Sequence, residues 1–166
     1  MNAENSQMKS VGDGQVVAEE GQYLCFTLGE EVYAFNILRV QEIRGWTPVR
    51  VVPDSPPYMK GVLDLRGVIV PVIDLRERFS LQHVEYSKET VVVVITIQGE
   101  TASTTLGVVV DGVSDVLDLA ADDIKAPNMV SGEIRDCYIE GVTNKNGKII
   151  MLIDSDLLFK DMSNRL

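Results

Sequence analysis

Asp64, Asp74 and Asp111 are the side chains that most invite a catalytic reading, since a set of carboxylates can divide general acid and general base work. Each has a plainer use written beside it. Asp74 recurs 80 residues on as Asp154, and both precede a short helix-forming run, so both read as helix caps. Asp111 stands before Gly112 and reads as a turn aspartate. A carboxylate-based hydrolase using these three stays as the enzymatic alternative. The sequence has no phosphate-cradling loop, no G-x-S-x-G elbow and no histidine-centred triad. His83, the single histidine, falls in a polar linker. Cys25 and Cys137 are the only cysteines, and Cys25 lies within Tyr23-Leu-Cys-Phe26, where a cysteine acts as a small hydrophobe. No cluster of histidine, cysteine and carboxylates has metal-ligand spacing, and nothing calls for a cofactor.

Arg66 offers chemistry of another kind. The segment Asp64-Leu-Arg-Gly67 reads as the tip of a hairpin, yet it carries a large apolar residue beside an arginine. Such a pair is typical of interface anchors, because the guanidinium fork binds carboxylates while its stem covers apolar surface. The contrast with a second hairpin makes the point. Tyr58, Gly61, Val62, Gly67, Ile69, Ile73, Asp74 and Phe79 recur as Tyr138, Gly141, Val142, Gly147, Ile149, Ile153, Asp154 and Phe159, eight identities in 22 residues at a constant spacing of 80. At the tip of the second copy stands Asn144-Lys-Asn-Gly147, an ordinary polar turn. Two outcomes are open for the first tip. Leu65 and Arg66 serve a partner, or Leu65 tucks into the core and Arg66 pairs internally with Glu42 or Asp64.

The elements that must position this tip are short strands. Tyr23 to Leu28 and Val32 to Phe35 flank Gly29-Glu30 as a tight hairpin, and a turn of helix near Ile37 leads into a strand with Val40 and Ile43. Four prolines between Pro48 and Pro57 rule out a long helix. Gly61 to Leu65 and Val68 to Ile73 form the next hairpin, Thr90 to Ile97 is the strongest strand, and Leu106 to Val110 and Val113 to Leu119 follow. Asp154 to Met162 reads as a closing helix with Leu157, Leu158 and Met162 on its apolar face. About ten short strands separated by regular turn signals argue a β barrel or sandwich. With the duplication, the expected fold is mainly β: two packed five-stranded barrels with short helices at the ends. The halves are expected near residues 22–80 and 90–160, after a disordered acidic tail over residues 1–20. The sequence leaves open whether strands are exchanged between the halves.

Charge narrows the partners. The chain has 166 residues, 15 Lys and Arg against 25 Asp and Glu, and a formal net charge of −10. Such a protein is repelled by nucleic acid phosphate and by anionic lipid. No apolar run is long enough for a membrane span, and the N-terminus lacks a secretory layout, so a cytoplasmic protein is expected.

Several motifs then point to one family. Phe26-Thr-Leu-Gly29, Ile37-Leu-Arg-Val-Gln-Glu-Ile-Arg44, Lys60-Gly-Val62, Leu65-Arg-Gly-Val-Ile-Val-Pro-Val-Ile-Asp-Leu-Arg76 and Val109-Val-Asp-Gly-Val-Ser-Asp-Val-Leu117 resemble the bacterial chemotaxis coupling proteins of the CheW family, over about residues 22–159. The resemblance implies two SH3-like five-stranded barrels and a non-enzymatic adaptor. It implies as partners the regulatory domain of the histidine kinase CheA and the cytoplasmic tips of methyl-accepting chemoreceptors. Matched by motif, Val40, Glu42, Gly61, Leu65, Arg66 and Val116 are the expected receptor-binding residues, and Val91 the expected kinase contact. Asp64 stands where the family more often has asparagine, which places a carboxylate next to Arg66. The turn from Gln98 to Thr105 is longer than the family's. A regulatory module for another two-component kinase, outside motility, is the alternative.

Overall fold

The computed structural model describes residues 18–81, 84–98, 103–127 and 133–163. The expected N-terminal tail falls almost wholly outside them, as do His83, most of the turn after Gln98 and the segment around Asn128.

Ten strands form two five-stranded sheets. The first half of the sequence supplies β1 (Gly21–Leu28), β2 (Glu31–Asn36), β3 (Val40–Gly45), β4 (Met59–Leu65) and β5 (Val68–Asp74). The second supplies β6 (Val91–Gln98), β7 (Ser103–Val110), β8 (Gly112–Leu119), β9 (Ile139–Lys145) and β10 (Lys148–Ile153). Two short helices, α1 (Leu75–Arg78) and α2 (Ser155–Ser163), follow β5 and β10. The expected mainly-β pair of five-stranded units is what forms.

Strands are exchanged between the halves. One sheet runs β8-β1-β2-β10-β9 and the other β3-β6-β7-β5-β4. Each therefore takes a hairpin from one half and three strands from the other. Replacing β1, β2, β8, β9 and β10 by β6, β7, β3, β4 and β5 turns the first order into the second, so the duplication seen in sequence is a pseudo-twofold of the fold. The join is parallel in both sheets, β2 with β10 and β5 with β7. Neither half completes a sheet by itself.

Burial on two faces explains the apolar runs. In β6, Val93 and Ile95 point into the core shared by both sheets, with Phe26, Tyr33 and Phe35 from the opposite sheet. Val92 and Val94 point the other way, into a smaller cluster with Leu65, Val70, Val72 and Val109. The first sheet has a matching cluster around Tyr23, Cys25, Ile150 and Leu152. Rings continue the shared core outward, from Phe26 on Phe35 (4.8 Å) through Tyr33 on Phe79 (5.8 Å) to Phe79 on Tyr138 (6.0 Å). In α2, Leu158 and Met162 are buried as expected, but Leu157 is 41% exposed and does not share their face.

Asp74 and Asp154 both act as caps, accepting from the backbone N–H of Arg76 (3.0 Å) and of Leu157 (3.0 Å). Asp74 does more. Its carboxylate takes Nε and Nη2 of the buried Arg76 at 2.9 and 2.8 Å and also the hydroxyl of Tyr86. Arg76 Nη1 continues to Asp111 Oδ1 (2.8 Å) and to the Glu85 carbonyl (2.6 Å), and Asp111 Oδ2 accepts from Gly29 N–H (2.6 Å). Two of the three aspartates that invite a catalytic reading, Asp74 and Asp111, are thus spent on one arginine, which ties β5, the linker and the β1–β2 turn together.

Candidate docking site

The site begins with two hairpin tips of the same geometry and different chemistry. Hairpin β4–β5 turns on Arg66 (φ 52°) and Gly67 (φ 89°), and hairpin β9–β10 on Asn146 (φ 54°) and Gly147 (φ 79°). Both pairs are left-handed, as the favoured two-residue hairpin turn requires. In each, the residue two before the turn pair braces it: Asp64 Oδ1 accepts from Gly67 N–H at 2.8 Å, and Asn144 Oδ1 from Gly147 N–H at 3.2 Å. Asn-Gly suits such a turn, whereas Arg at the first position carries a left-handed penalty of roughly 1–2 kcal/mol. Asp64 is occupied with its own turn, so it is Glu42 that holds the arginine.

Arg66 Nη2 donates to Glu42 Oε1 at 2.7 Å, and Arg44 Nη1 reaches Glu42 Oε2 at 3.4 Å. Glu42 lies on β3 and Arg66 at the end of β4, the two opposite edges of one sheet. Their contact shows that the sheet curls enough to bring its two edges within side-chain reach of each other. The hydrogen bond from Arg66 holds the Glu42 carboxyl below the usual carboxylate range; partial burial opposes this, and the charges of Arg66 and Arg44 reinforce it. The Arg66 side chain is 68% exposed. It is oriented by its own protein and still open to a second acceptor.

The other expected residues divide. Leu65 is buried, 4% exposed, among Val70, Val72, Val92 and Val94, so it supports the tip from below. Gly61 is also buried. A Cβ there would lie 2.1 Å from the Arg50 carbonyl oxygen, so its role is to let two backbones approach. Val40 opens β3 and packs partly on the shared core, facing Ile95. Val116 belongs to the other sheet, on edge strand β8, and is 47% exposed. By the duplication it matches Ile43 on edge strand β3, which is 42% exposed. Val91 begins an interior strand with backbone neighbours on both sides, Gly45 and Val110, and offers only a half-buried side chain. The structure therefore brings Glu42 and Arg66 into contact, sets Leu65 beneath the tip, keeps Gly61 further back on β4 against Arg50, and leaves Val116 on the second sheet.

Sequence reading missed a polar cleft of about 230 Å³ lined by Glu19, Arg39, Glu140, Asp154 and Asp156. Its signal was present in the duplication. Glu140 stands where the first copy has Lys60, and Asp156 where it has Arg76, so both positions reverse charge between copies.

Open apolar residues on edge strands, an oriented exposed arginine and carboxylates committed to structure define a β scaffold built for protein docking. The CheW-like domain model matches residues 22–163. The chemotaxis protein CheW of Klebsiella aerogenes is 41% identical over 145 residues, covering 87% of this chain and 84% of that one. The probable chemotaxis protein CheW of Rhizobium etli is 30% identical, covering 93% and 94%. The crystal structure of the scaffolding protein TtCheW from Thermoanaerobacter tengcongensis superimposes with a TM-score of 0.72 at 29% identity, over 81% of this chain and 88% of that one. The chain belongs to the CheW family. It is a chemotaxis adaptor of scaffold type and not an enzyme. None of the described helices is long and apolar enough to cross a membrane.

Proposed function

We propose that this chain joins the regulatory domain of the kinase CheA to the cytoplasmic tips of methyl-accepting chemoreceptors, working in the cytoplasm at receptor arrays. The receptor tip docks beside Arg66 and Glu42, with Val40 and Val116 as flanking apolar contacts and Leu65 and Gly61 shaping the hairpin. The kinase domain packs on apolar strand surface near Val91. Holding both partners on one rigid body raises the effective concentration of kinase at the receptor. One observation supports this reading above the rest. An arginine occupies a left-handed turn position where the sister copy has asparagine, and its head stays exposed. Such local strain persists where function requires it. Pull-down on an immobilised receptor tip, together with receptor-stimulated kinase activity, tests the proposal. Arg66→Ala is expected to weaken both while leaving the melting temperature within a few degrees of the parent (about 1 kcal/mol for an exposed pair). Unchanged pull-down and activation would remove Arg66 from the site.

A further inference from the structure

The chain crosses from one sheet to the other twice in equivalent places, and an ion pair fastens each crossing. Between β7 and β8 the crossing residue is Asp111, held by Arg76 at 2.8 Å. Between β2 and β3 the crossing is the 3-10 turn Ile37–Arg39, and Arg39 is held by Asp156 at 3.1 Å. Arg76 and Asp156 are the same position in the two copies, so the second fastening repeats the first with its charges exchanged. They differ in strength. Arg76 is 1% exposed and also bonded to Asp74 and to the Glu85 carbonyl. Arg39 and Asp156 are 33% and 51% exposed, the range in which solvent screening leaves an ion pair weak.

A further carboxylate stands beside the weak fastening. Glu140 is the extra residue of the bulge in β9, opposite the step from Leu152 to Ile153. Its counterpart Lys60, in the same bulge of β4, is satisfied by Glu77 at 2.7 Å. Position 157 in the second copy is leucine where the first has Glu77, so that exchange has no match. Among the described residues no cation lies within ion-pairing distance of Glu140. It faces Glu19 before β1, Arg39 on the crossing turn, and Asp154 and Asp156 at the start of α2, and its charge is felt by Tyr23 of β1. We infer that the Arg39–Asp156 contact is a releasable latch on the first crossing, and that the charge of Glu140 decides whether Arg39 stays on Asp156. A neutral Glu140 leaves Arg39 to Asp156. An ionised one repels Asp154 and Asp156 and competes for the same guanidinium. Leaving Asp156 for Glu140 draws Arg39 away from α2 and shifts the turn that leads directly into β3, the strand carrying Val40 and Glu42. Burial, followed by the charges of Asp154, Asp156 and Glu19, pushes the Glu140 carboxyl up to about 8, with Arg39 opposing, so the change falls just above neutral pH.

The latch is independent of any docking partner, and its test uses the chain alone. Amide exchange of Gln41 to Arg44, expressed as protection factors, is followed by NMR from pH 6.5 to 9 alongside the Glu140 side-chain carboxyl carbon. In the parent chain, protection of β3 is expected to fall about tenfold across this range, the equivalent of one pKa unit of coupling, while the crossing at Asp111, held by the buried Arg76, stays steady. Glu140→Gln should keep the high value throughout. Arg39→Gln, or the exposed Asp156→Asn should the former fail to fold, should show the low value at every pH. A flat parent profile, a Glu140→Gln profile that follows the parent, or a Glu140 titration below pH 6 would overturn the inference.

Discussion

Gly61→Ala should unfold this protein far more readily than any comparable change in the second copy. Gly61 has φ +149°, a conformation that L side chains rarely adopt, and an added Cβ would meet the Arg50 carbonyl oxygen at 2.1 Å, its carbon at 2.7 Å and Val49 Cγ2 at 3.0 Å. The obstacle is backbone and cannot rotate away. Arg50 and Val62 exchange two main-chain hydrogen bonds at this point, 3.1 and 2.8 Å long. Relieving the clash separates them, a loss of about 0.5–1.5 kcal/mol for each bond. The strained φ adds about 1–3 kcal/mol. The sum is about 2 kcal/mol at its lower end, or roughly 4–8 °C of melting temperature for a domain of this size. Gly141 is the internal control. Its neighbour Val142 pairs with Lys125 across the same kind of bridge, but a Cβ added at Gly141 would first meet Ile124 Cγ2 at 2.9 Å, a side-chain end that can shift, and the φ of Gly141 is not left-handed. Urea and thermal melts followed by far-UV circular dichroism measure both variants. Gly61→Ala should lose at least twice as much stability as Gly141→Ala. Equal losses, or a Gly61→Ala protein that melts with the parent, would refute the close-approach argument. Any loss of binding in a Gly61 variant should then track its unfolding.

Three further outcomes follow from the geometry. Arg76→Met should cost about 3–5 kcal/mol in the same melts, because it strands the sealed Asp74 carboxylate without its counter-charge; a loss below about 1 kcal/mol would contradict the clamp role. With a thiol reagent at pH 8, Cys137 should react quickly and Cys25 only on unfolding, since burial, then the charge and hydrogen bond of Asp115, pushes the Cys25 thiol up to about 11; two fast thiols would be inconsistent with this. Glu140 holds its proton more tightly in the folded chain than in the unfolded one, so its contribution is present below the ordinary carboxylate range and is lost as pH rises toward about 8. Glu140→Gln should therefore gain stability relative to the parent between pH 5 and 8, read from urea midpoints, and a constant difference across that range would count against it.

Much of this was legible in the chain. Gly29, Gly67, Asp111-Gly112 and Gly147 punctuate the strands where they end, and the constant 80-residue spacing announced the pseudo-symmetry that the strand orders display. Strand exchange was hidden, because local patterns say where a strand lies and not which distant edge completes it. The parallel contacts of β2 with β10 and β5 with β7 join segments far apart in sequence. Burial of Arg76 was hidden too, since arginine in a short helix reads as surface until Asp74, Asp111 and the Glu85 carbonyl are seen around it. Of the candidate site, Arg66 stood out by contrast with Asn146, and its partner Glu42 was one of the two acceptors foreseen. The inward turn of Leu65 was one of two open outcomes that only the packing of β4 against β6 could decide. The cleft at Glu140 escaped notice because its members come from four separate segments, although the charge reversals against Lys60 and Arg76 mark it in retrospect.

The most direct measurement converts the first tip into the second. Arg66→Asn gives hairpin β4–β5 the Asn-Gly turn that its sister already has. The left-handed strain is relieved as the exposed Glu42 pair is lost, so stability should stay level or rise by up to about 1 kcal/mol. Titration of a chemoreceptor tip against this variant should nevertheless show affinity reduced by tenfold or more, about 1.4 kcal/mol. Parental affinity in a protein of parental or higher stability would contradict the claim that this arginine is kept on its strained turn in order to dock.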